Sequence, residues 1–338
     1  MNRFIEFGSA TSIPLYNCSH IPLTPEQWSE KDGVSRPIFG ATEFTFGMLI
    51  EILYIPLIVV MLEKKNFSMS CYKIMVFLAL IDFVAVIFSC LMTGFLTFQG
   101  AVFCTYPNLI YISGCTAKCT WTGSCLTAMI LVINRLLDLS FNRIKNILFD
   151  GNRTFLILII PFGYASYFLI FNPPIVFTSK FHSWFFDPLI FEGRSAEYNN
   201  IPVLFNNFLI VITTCCLYMF FCCALGAKTK NTKTSSQTRK MSLQIFFQSA
   251  MICAVNFSAS MIYVIMNYVE VPFSIILFGQ FTWQMGSASP VFIYLTLNKT
   301  IRNGVLLKLG LTFAFGKTSV VSKTSAALVV QVGNRNVN

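Results

Sequence analysis

Apolar residues are gathered in long blocks along this chain, separated by short polar stretches. Seven mostly apolar blocks lie at about 39–62, 74–97, 109–137, 154–178, 201–227, 242–266 and 274–297. Each is long enough for a helix that crosses a bilayer, which takes about 20 residues. The third is the least apolar, because Lys118 and several small polar residues interrupt it. Segments of strict alternation, the signature of a membrane β-barrel, do not account for runs of this length. The connections are short except the one at about 179–200. The pattern predicts an all-α membrane protein in which residues 39–297 form a bundle of seven transmembrane helices. Residues 1–38 read as a polar head, with no apolar run of signal-peptide length. Residues 298–338 read as a tail. Within it, 298–309 carries apolar residues at Ile301, Val305, Leu306 and Leu309, which predicts a short amphipathic helix lying on the membrane.

Composition narrows the class. Of 338 residues, 55 % are hydrophobic and only 11 % charged, whereas a soluble domain carries about 25 % charged residues. Mean hydropathy is +0.66. So little charge cannot cover a water-facing surface, which excludes a soluble enzyme and a disordered chain. HExxH, GxSxG, Walker and GxGxxG motifs are missing, so neither catalysis nor a cofactor is expected. The two histidines, His20 and His182, fall in polar connecting segments. A histidine relay or metal site within the membrane is therefore not expected.

The net charge of +10 would suggest nucleic acid in a soluble protein. Its placement points elsewhere. With the N-terminus outside, Lys64, Lys65 and Lys73 fall in the first cytoplasmic loop. Arg135, Arg143, Lys145 and Arg153 flank the second, and Lys228, Lys230, Lys233, Arg239 and Lys240 fill the third. Most acidic residues fall on the other side. This is the positive-inside distribution. It suits anionic lipid and an acidic or helical partner at the cytoplasmic face, not nucleic acid. Asn17-Cys18-Ser19 is a glycosylation sequon in the head. Asn66, Asn152, Asn256 and Asn298 also begin sequons, but Asn17 alone is both outside and far from the membrane.

The cysteines include no CxxC pair, so zinc and thioredoxin chemistry have no support. Most lie within spans, where Cys acts as a small apolar residue. Cys18 and Cys104 lie clearly outside, and a disulfide between them is expected. Two free thiols, or Cys104 paired with Cys115, are the alternatives.

Ionisable residues inside a bilayer are costly and usually face the bundle interior. Four need an account: Glu43, Glu51, Asp82 and Lys118. Asp82 and Glu51 fall at similar depth. They could share a proton or an ion as a polar switch core, or form a structural carboxyl pair. Lys118 falls near the outer edge of its span. It either snorkels to the outer headgroups or serves, with Trp121 one turn away, as counter-charge for an acidic ligand. Glu43 is an alternative partner. Pro56, Pro161, Pro173, Pro174 and Pro290 fall in spans and can kink them, and Pro290 is the one to connect with motion.

Seven spans with an outer N-terminus, the pattern LAxxD at Leu78-Ala79 and Asp82, Arg135 ending span 3 and Pro290 with Tyr294 in span 7 resemble G-protein-coupled receptors of the rhodopsin-like kind. More closely, the chain is similar to nematode chemoreceptors of serpentine receptor class T. SCYKIM (70–75), FLALID (77–82), CTYP (104–107), Trp121, LVINR (131–135), LFDGNRT (148–154), EYNN (197–200), SLQ (242–244) and PVFIYLTLNKTIR (290–302) carry that resemblance, which covers about 17–310. The chain departs from the rhodopsin-like pattern in three respects. Asn134 replaces the acid that precedes the span-3 arginine, the span-7 pattern NPxxY stands as Ser289-Pro290-Val291-Phe292-Ile293-Tyr294 with Ser for Asn and one extra residue, and the segment 179–200 has no Cys for the usual outer-loop disulfide.

The resemblance implies a plasma-membrane receptor of chemosensory neurons. A small chemical ligand would bind among the outer halves of spans 3, 5, 6 and 7. The polar and aromatic residues at that depth are Lys118, Trp121, Asn206, Asn207, Tyr263, Gln280 and Trp283, a composition suited to a pocket. Asp82, Asn134, Arg135, Pro290 and Tyr294 would form the switch. Arg239 and Lys240, with the rest of the basic third loop, would meet a heterotrimeric G protein. A ligand-gated channel of inverted topology disagrees with the Lys and Arg distribution. A transporter disagrees with the lack of an internal repeat.

Overall fold

The computed structural model describes the backbone of residues 1–231 and 236–310, with side chains throughout except at Leu139, Tyr218, 221–246 and Asn267. Arg239 and Lys240 therefore lie outside the described side chains.

The bundle helices are α1 (Pro37–Met61), α2 (Ser70–Gln99), α3 (Pro107–Ser140), α4 (Arg153–Phe171), α5 (Ile201–Asn231), α6 (Ser236–Tyr268) and α7 (Phe273–Leu297). Among the described residues, α1 to α4 and the Phe247–Met266 stretch of α6 are each long and apolar enough to cross a membrane by themselves. α5 contributes a shorter apolar stretch, Ile201–Leu217. α7 is as long as α1 but less apolar, because it carries Gln280, Gln284, Ser287 and Ser289. All four are buried, so its polar groups are spent inside the bundle and not offered to lipid.

α4 shows the opposite arrangement. Leu156, Ile159, Ile160 and Phe162 are exposed on its outer side, while Leu158, Ala165 and Phe168 face the bundle. It stops at Phe171, earlier than the apolar block that ends near 178. Asn172-Pro173-Pro174 accounts for the difference. A proline cannot donate within a helix and drives the preceding residue toward extended backbone. Pro173 and Pro174 thus follow the span and do not kink it.

Two small residues set the approach of α1 to α2. A Cβ on Gly40 would meet the Gly94 carbonyl oxygen at 2.5 Å, and one on Gly94 would meet the Gly40 carbonyl oxygen at 2.6 Å. Glycine at both positions lets the backbones touch, the packing on which membrane helices rely. Beyond them, α2 widens into a π-helical turn at Ile87–Met92.

At the tail end, α8 (Lys299–Lys308) follows α7 directly. The Asn298 side chain caps it by accepting from the Ile301 amide (3.1 Å). Ile301 and Val305 are buried against the bundle while Leu307 is exposed, as on an amphipathic helix. Lys308 pairs with Glu63 (3.2 Å), joining α8 to the first connection at this end.

The other end is closed by folded segments. The head contains the helices Asn2–Phe7 and Pro25–Asp32, the second held by a capping box of Thr24 and Gln27. It does not behave as a solvated polar head, since Ala10, Ile13, Tyr16 and Trp28 join a core with Phe103, Tyr111 and Tyr198. Burial raises the Tyr16 hydroxyl far above its usual pKa and pushes Tyr198 up to about 12. Tyr198 thus stays protonated and donates to the Leu15 carbonyl (2.6 Å). Cys18 and Cys104 are disulfide-bonded across a sequence separation of 86. The long connection forms an antiparallel hairpin of β1 (Val176–Thr178) and β2 (Ser183–Phe185), with Phe177 opposite Trp184.

Gly94→Val would force α1 and α2 apart. We expect a loss of about 1–3 kcal/mol, the usual range for overpacking, read as a lower thermal midpoint in detergent, with Ser89→Ala much milder. Replacing Cys18 and Cys104 together by Ser should also lower the midpoint, by about 4–5 kcal/mol from the chain entropy of a loop of this length.

Candidate ligand site

Lys118 and Trp121 stand three residues apart on α3 and so share one face. α5 brings Val203, Leu204 and Asn207 to that face, α6 brings Tyr263 and Met266, and α7 brings Trp283. Together with Ile175, Trp184, Phe185 and Phe186 of the hairpin region they line a cavity of about 740 Å³, part of it open to solvent. Five of the seven residues singled out from the sequence meet here: Lys118, Trp121, Asn207, Tyr263 and Trp283. Asn206 and Gln280 do not line the cavity. Asn206 accepts from the Tyr164 hydroxyl (3.0 Å) and donates to Asn207 Oδ1 (3.3 Å). Gln280 is reached by the Ser183 hydroxyl (3.4 Å). Both support residues around the cavity from behind.

The hairpin wall has no counterpart in the sequence reading, which left this connection without structure. Its entry depends on Gly114. A Cβ there would collide with the Ile175 carbonyl oxygen, so only glycine lets the strand lie against α3. Trp184 then packs on Phe177 (ring centroids 5.6 Å) and donates its indole N–H to Thr93 on α2 (2.9 Å). The signal available in the sequence was the aromatic pair within a connection too long for a tight turn.

Lys118 does not snorkel. It is 2 % exposed, and its ammonium donates to the Pro173 carbonyl just beyond α4. Nor does Glu43 pair with it. Among the described residues the ion pairs are Lys145–Asp138, His182–Glu43, Arg194–Glu197 and Lys308–Glu63.

His182 lies in a connecting segment, as its place in the sequence indicates, yet it is not solvated. It sits at the tip of the hairpin with a left-handed φ of 52° and is buried between helices. Its Nε2 meets Glu43 Oε1 on α1 (3.0 Å) and its Nδ1 meets Thr97 Oγ1 on α2 (3.1 Å). Gln284 on α7 donates to the same Glu43 oxygen (2.8 Å) and to the Ser89 carbonyl (2.9 Å). One histidine from a connection thus ties α1, α2 and, through Glu43, α7. A period-based reading cannot see this, because the contact spans 139 residues of chain.

Asp82 is fully buried and accepts from the Ser124 hydroxyl of α3 (2.6 Å). Among the described residues Glu51 is buried without a hydrogen-bond partner, so the two carboxyls do not bond to each other as the equal depth suggested. The Tyr54 hydroxyl of α1 donates to the Ser287 carbonyl (2.6 Å), one turn before the buried Pro290. Towards the tail end, Asn134 donates to the Ser70 hydroxyl (3.2 Å), and Arg135 reaches Met75 Sδ (3.8 Å). The Tyr294 hydroxyl is buried and, among the described residues, without a hydrogen-bond partner. Asn17 is half-buried, and its side-chain oxygen accepts from the Ser19 amide (2.8 Å).

The sequence matches the family model described as "Serpentine type 7TM GPCR chemoreceptor Srt" over residues 3–317. The chain belongs to this family. It is also 26 % identical over 332 residues to "Serpentine receptor class T-55" of Caenorhabditis elegans, covering 98 % of this chain and 88 % of that protein. Membership in a seven-transmembrane family places α5 and α7 with the other five as membrane spans of this Srt protein. The fold is the seven-helix bundle that the apolar blocks predict, in a multi-pass membrane protein of a chemoreceptor family.

His182→Ala should leave Thr97 Oγ1 without its partner in this Srt bundle and leave Glu43 Oε1 with Gln284 alone. The expected cost is about 1–3 kcal/mol, that of unsatisfied buried polar groups. Thermal unfolding of the purified protein checks it, and His182→Gln should recover part of the loss.

Proposed function

We propose that this Srt protein is a chemosensory G-protein-coupled receptor of the plasma membrane, with residues 1–38 outside and 298–338 in the cytoplasm. A small ligand enters from the outer end and occupies the cavity between α3, α5, α6, α7 and the hairpin. The observation that carries the reading is the convergence of Lys118, Trp121, Asn207, Tyr263 and Trp283 on one aromatic cavity, part of it open to solvent. Clefts between helices, mostly apolar with a few placed polar groups, are where small ligands bind.

The same helices run to the opposite end. α3 carries Asp82's partner Ser124, then Asn134 and Arg135. α7 carries the Ser287 carbonyl held by Tyr54, then Pro290 and Tyr294. A ligand that fits one arrangement of these helices better than another shifts the population toward it. Pro290 gives α7 a place to bend, and Asp82, Asn134, Arg135 and Tyr294 are polar groups that can exchange partners as the helices move. Among the described residues several lack a full set of partners, including Asp82, Arg135 and Tyr294. The basic third loop with Arg239 and Lys240, together with Arg135, then engages a heterotrimeric G protein. The Lys and Arg distribution supports this orientation and leaves Asn17 as the glycosylated residue.

Two experiments test the reading. In cell membranes, Asn17→Gln should abolish the glycosidase-sensitive mobility shift and Asn152→Gln should leave it unchanged. The reverse pattern inverts the topology and removes the receptor assignment. With a ligand selected by thermal shift, Arg135→Ala should stop nucleotide exchange on the G protein while ligand affinity changes less than about threefold, since Arg135 touches no cavity residue. Trp283→Ala should lower affinity by roughly tenfold or more, the loss of one buried aromatic contact.

A further inference from the structure

Resting on the cavity reading above, we infer that the ligand is an organic acid anion: a single carboxylate on an apolar or aromatic body.

Three observations meet in this assignment. The first is the state of Lys118. Its ammonium has three N–H donors, and the Pro173 carbonyl accepts from one. The side chain is 2 % exposed, and no Asp or Glu among the described residues forms an ion pair with it. A buried charge without a counter-charge costs several kcal/mol. An anion arriving in the cavity supplies what the chain itself does not.

The second is the sign of the neighbouring polar group. Asn207 Oδ1 already accepts from the Trp121 indole N–H (3.3 Å) and from Asn206 Nδ2 (3.3 Å). What Asn207 has left to offer is its amide N–H donor. Lys118 and Asn207 together therefore present donors to the cavity. A carboxylate is acceptor-only and matches them, whereas an amine ligand would face an ammonium.

The third is the rest of the wall. Trp184, Phe185, Phe186 and Trp283 are aromatic, and Ile175 and Met266 are aliphatic or soft. A small inorganic anion would leave this surface wet, while an acid with an apolar body covers it. One ammonium is a point charge and not the planar fork that selects phosphate or paired carboxylates, which favours a single carboxylate.

The test uses the full-length protein in nanodiscs and two matched pairs of probes, octanoate with octanol and phenylacetate with phenylethanol. Saturable quenching of tryptophan fluorescence is read after subtraction of empty nanodiscs. Each acid should bind roughly tenfold or more tightly than its alcohol, the worth of one charge-assisted hydrogen bond. In Lys118→Met the acid should lose its advantage over the matched alcohol, and Lys118→Arg should keep part of it. Equal affinity of acid and alcohol in the native protein, an advantage that survives in Lys118→Met, or no saturable binding of either acid overturns the assignment. Trp283→Ala separates the two levels. If it weakens every probe but the acids hold no advantage, the cavity stands and the acid class falls. If it leaves all binding unchanged, the probes sit elsewhere and the cavity reading falls with it.

Discussion

Lipid provides no hydrogen bonds, and the rest of this structure depends on that constraint. Every backbone amide in the bilayer must be paired within its own helix, and every polar side chain must find a partner in the bundle. The apolar blocks answer the first demand. The second sorts the helices. α4 exposes Leu156, Ile159, Ile160 and Phe162 and keeps few polar groups. α7 does the reverse, burying Gln280, Gln284, Ser287 and Ser289 among its neighbours. Gln284 shows the outcome, with one amide group serving both Glu43 and the Ser89 carbonyl.

The head end solves a different problem. Helices that merely cross a membrane leave their ends open to water. Here the head, the Cys18–Cys104 disulfide and the β1–β2 hairpin cover them. The hairpin is held by unlike contacts: Gly114 admits its backbone, Trp184 bonds to Thr93, and His182 reaches Glu43 and Thr97. One consequence is a cavity with a structured wall, which Trp184 and Phe185 line together with Trp121 and Trp283. Another is that the hairpin bears directly on α1 and α2, through His182 and Trp184, and through Glu43 on α7.

Much of the site was legible because α-helices have a fixed period and a bilayer has a fixed thickness. Depth along a helix can be counted, so Lys118, Trp121, Asn207, Tyr263 and Trp283 could be put at one level before any contact was known. Which way each residue faces was harder to read. Asn206 and Asn207 are adjacent, yet only Asn207 lines the cavity. Gln280 turns toward the hairpin at Ser183. The equal depth of Glu51 and Asp82 misled, because depth says nothing of rotation about the helix axis, and only Asp82 found a partner, in Ser124.

What the sequence by itself determined is what the membrane imposes locally: seven crossings, the charge asymmetry of their connections, an amphipathic α8, and the level of the polar and aromatic residues. Each follows from a run of neighbouring residues against a slab of known thickness. Tertiary structure alone decided the pairings between residues far apart in the chain. It placed His182 against Glu43, Lys118 against Pro173 and the hairpin over α3. Those choices depend on shape, on Gly114 leaving room and on Asn172-Pro173-Pro174 ending α4 early, and no local period of the chain encodes them.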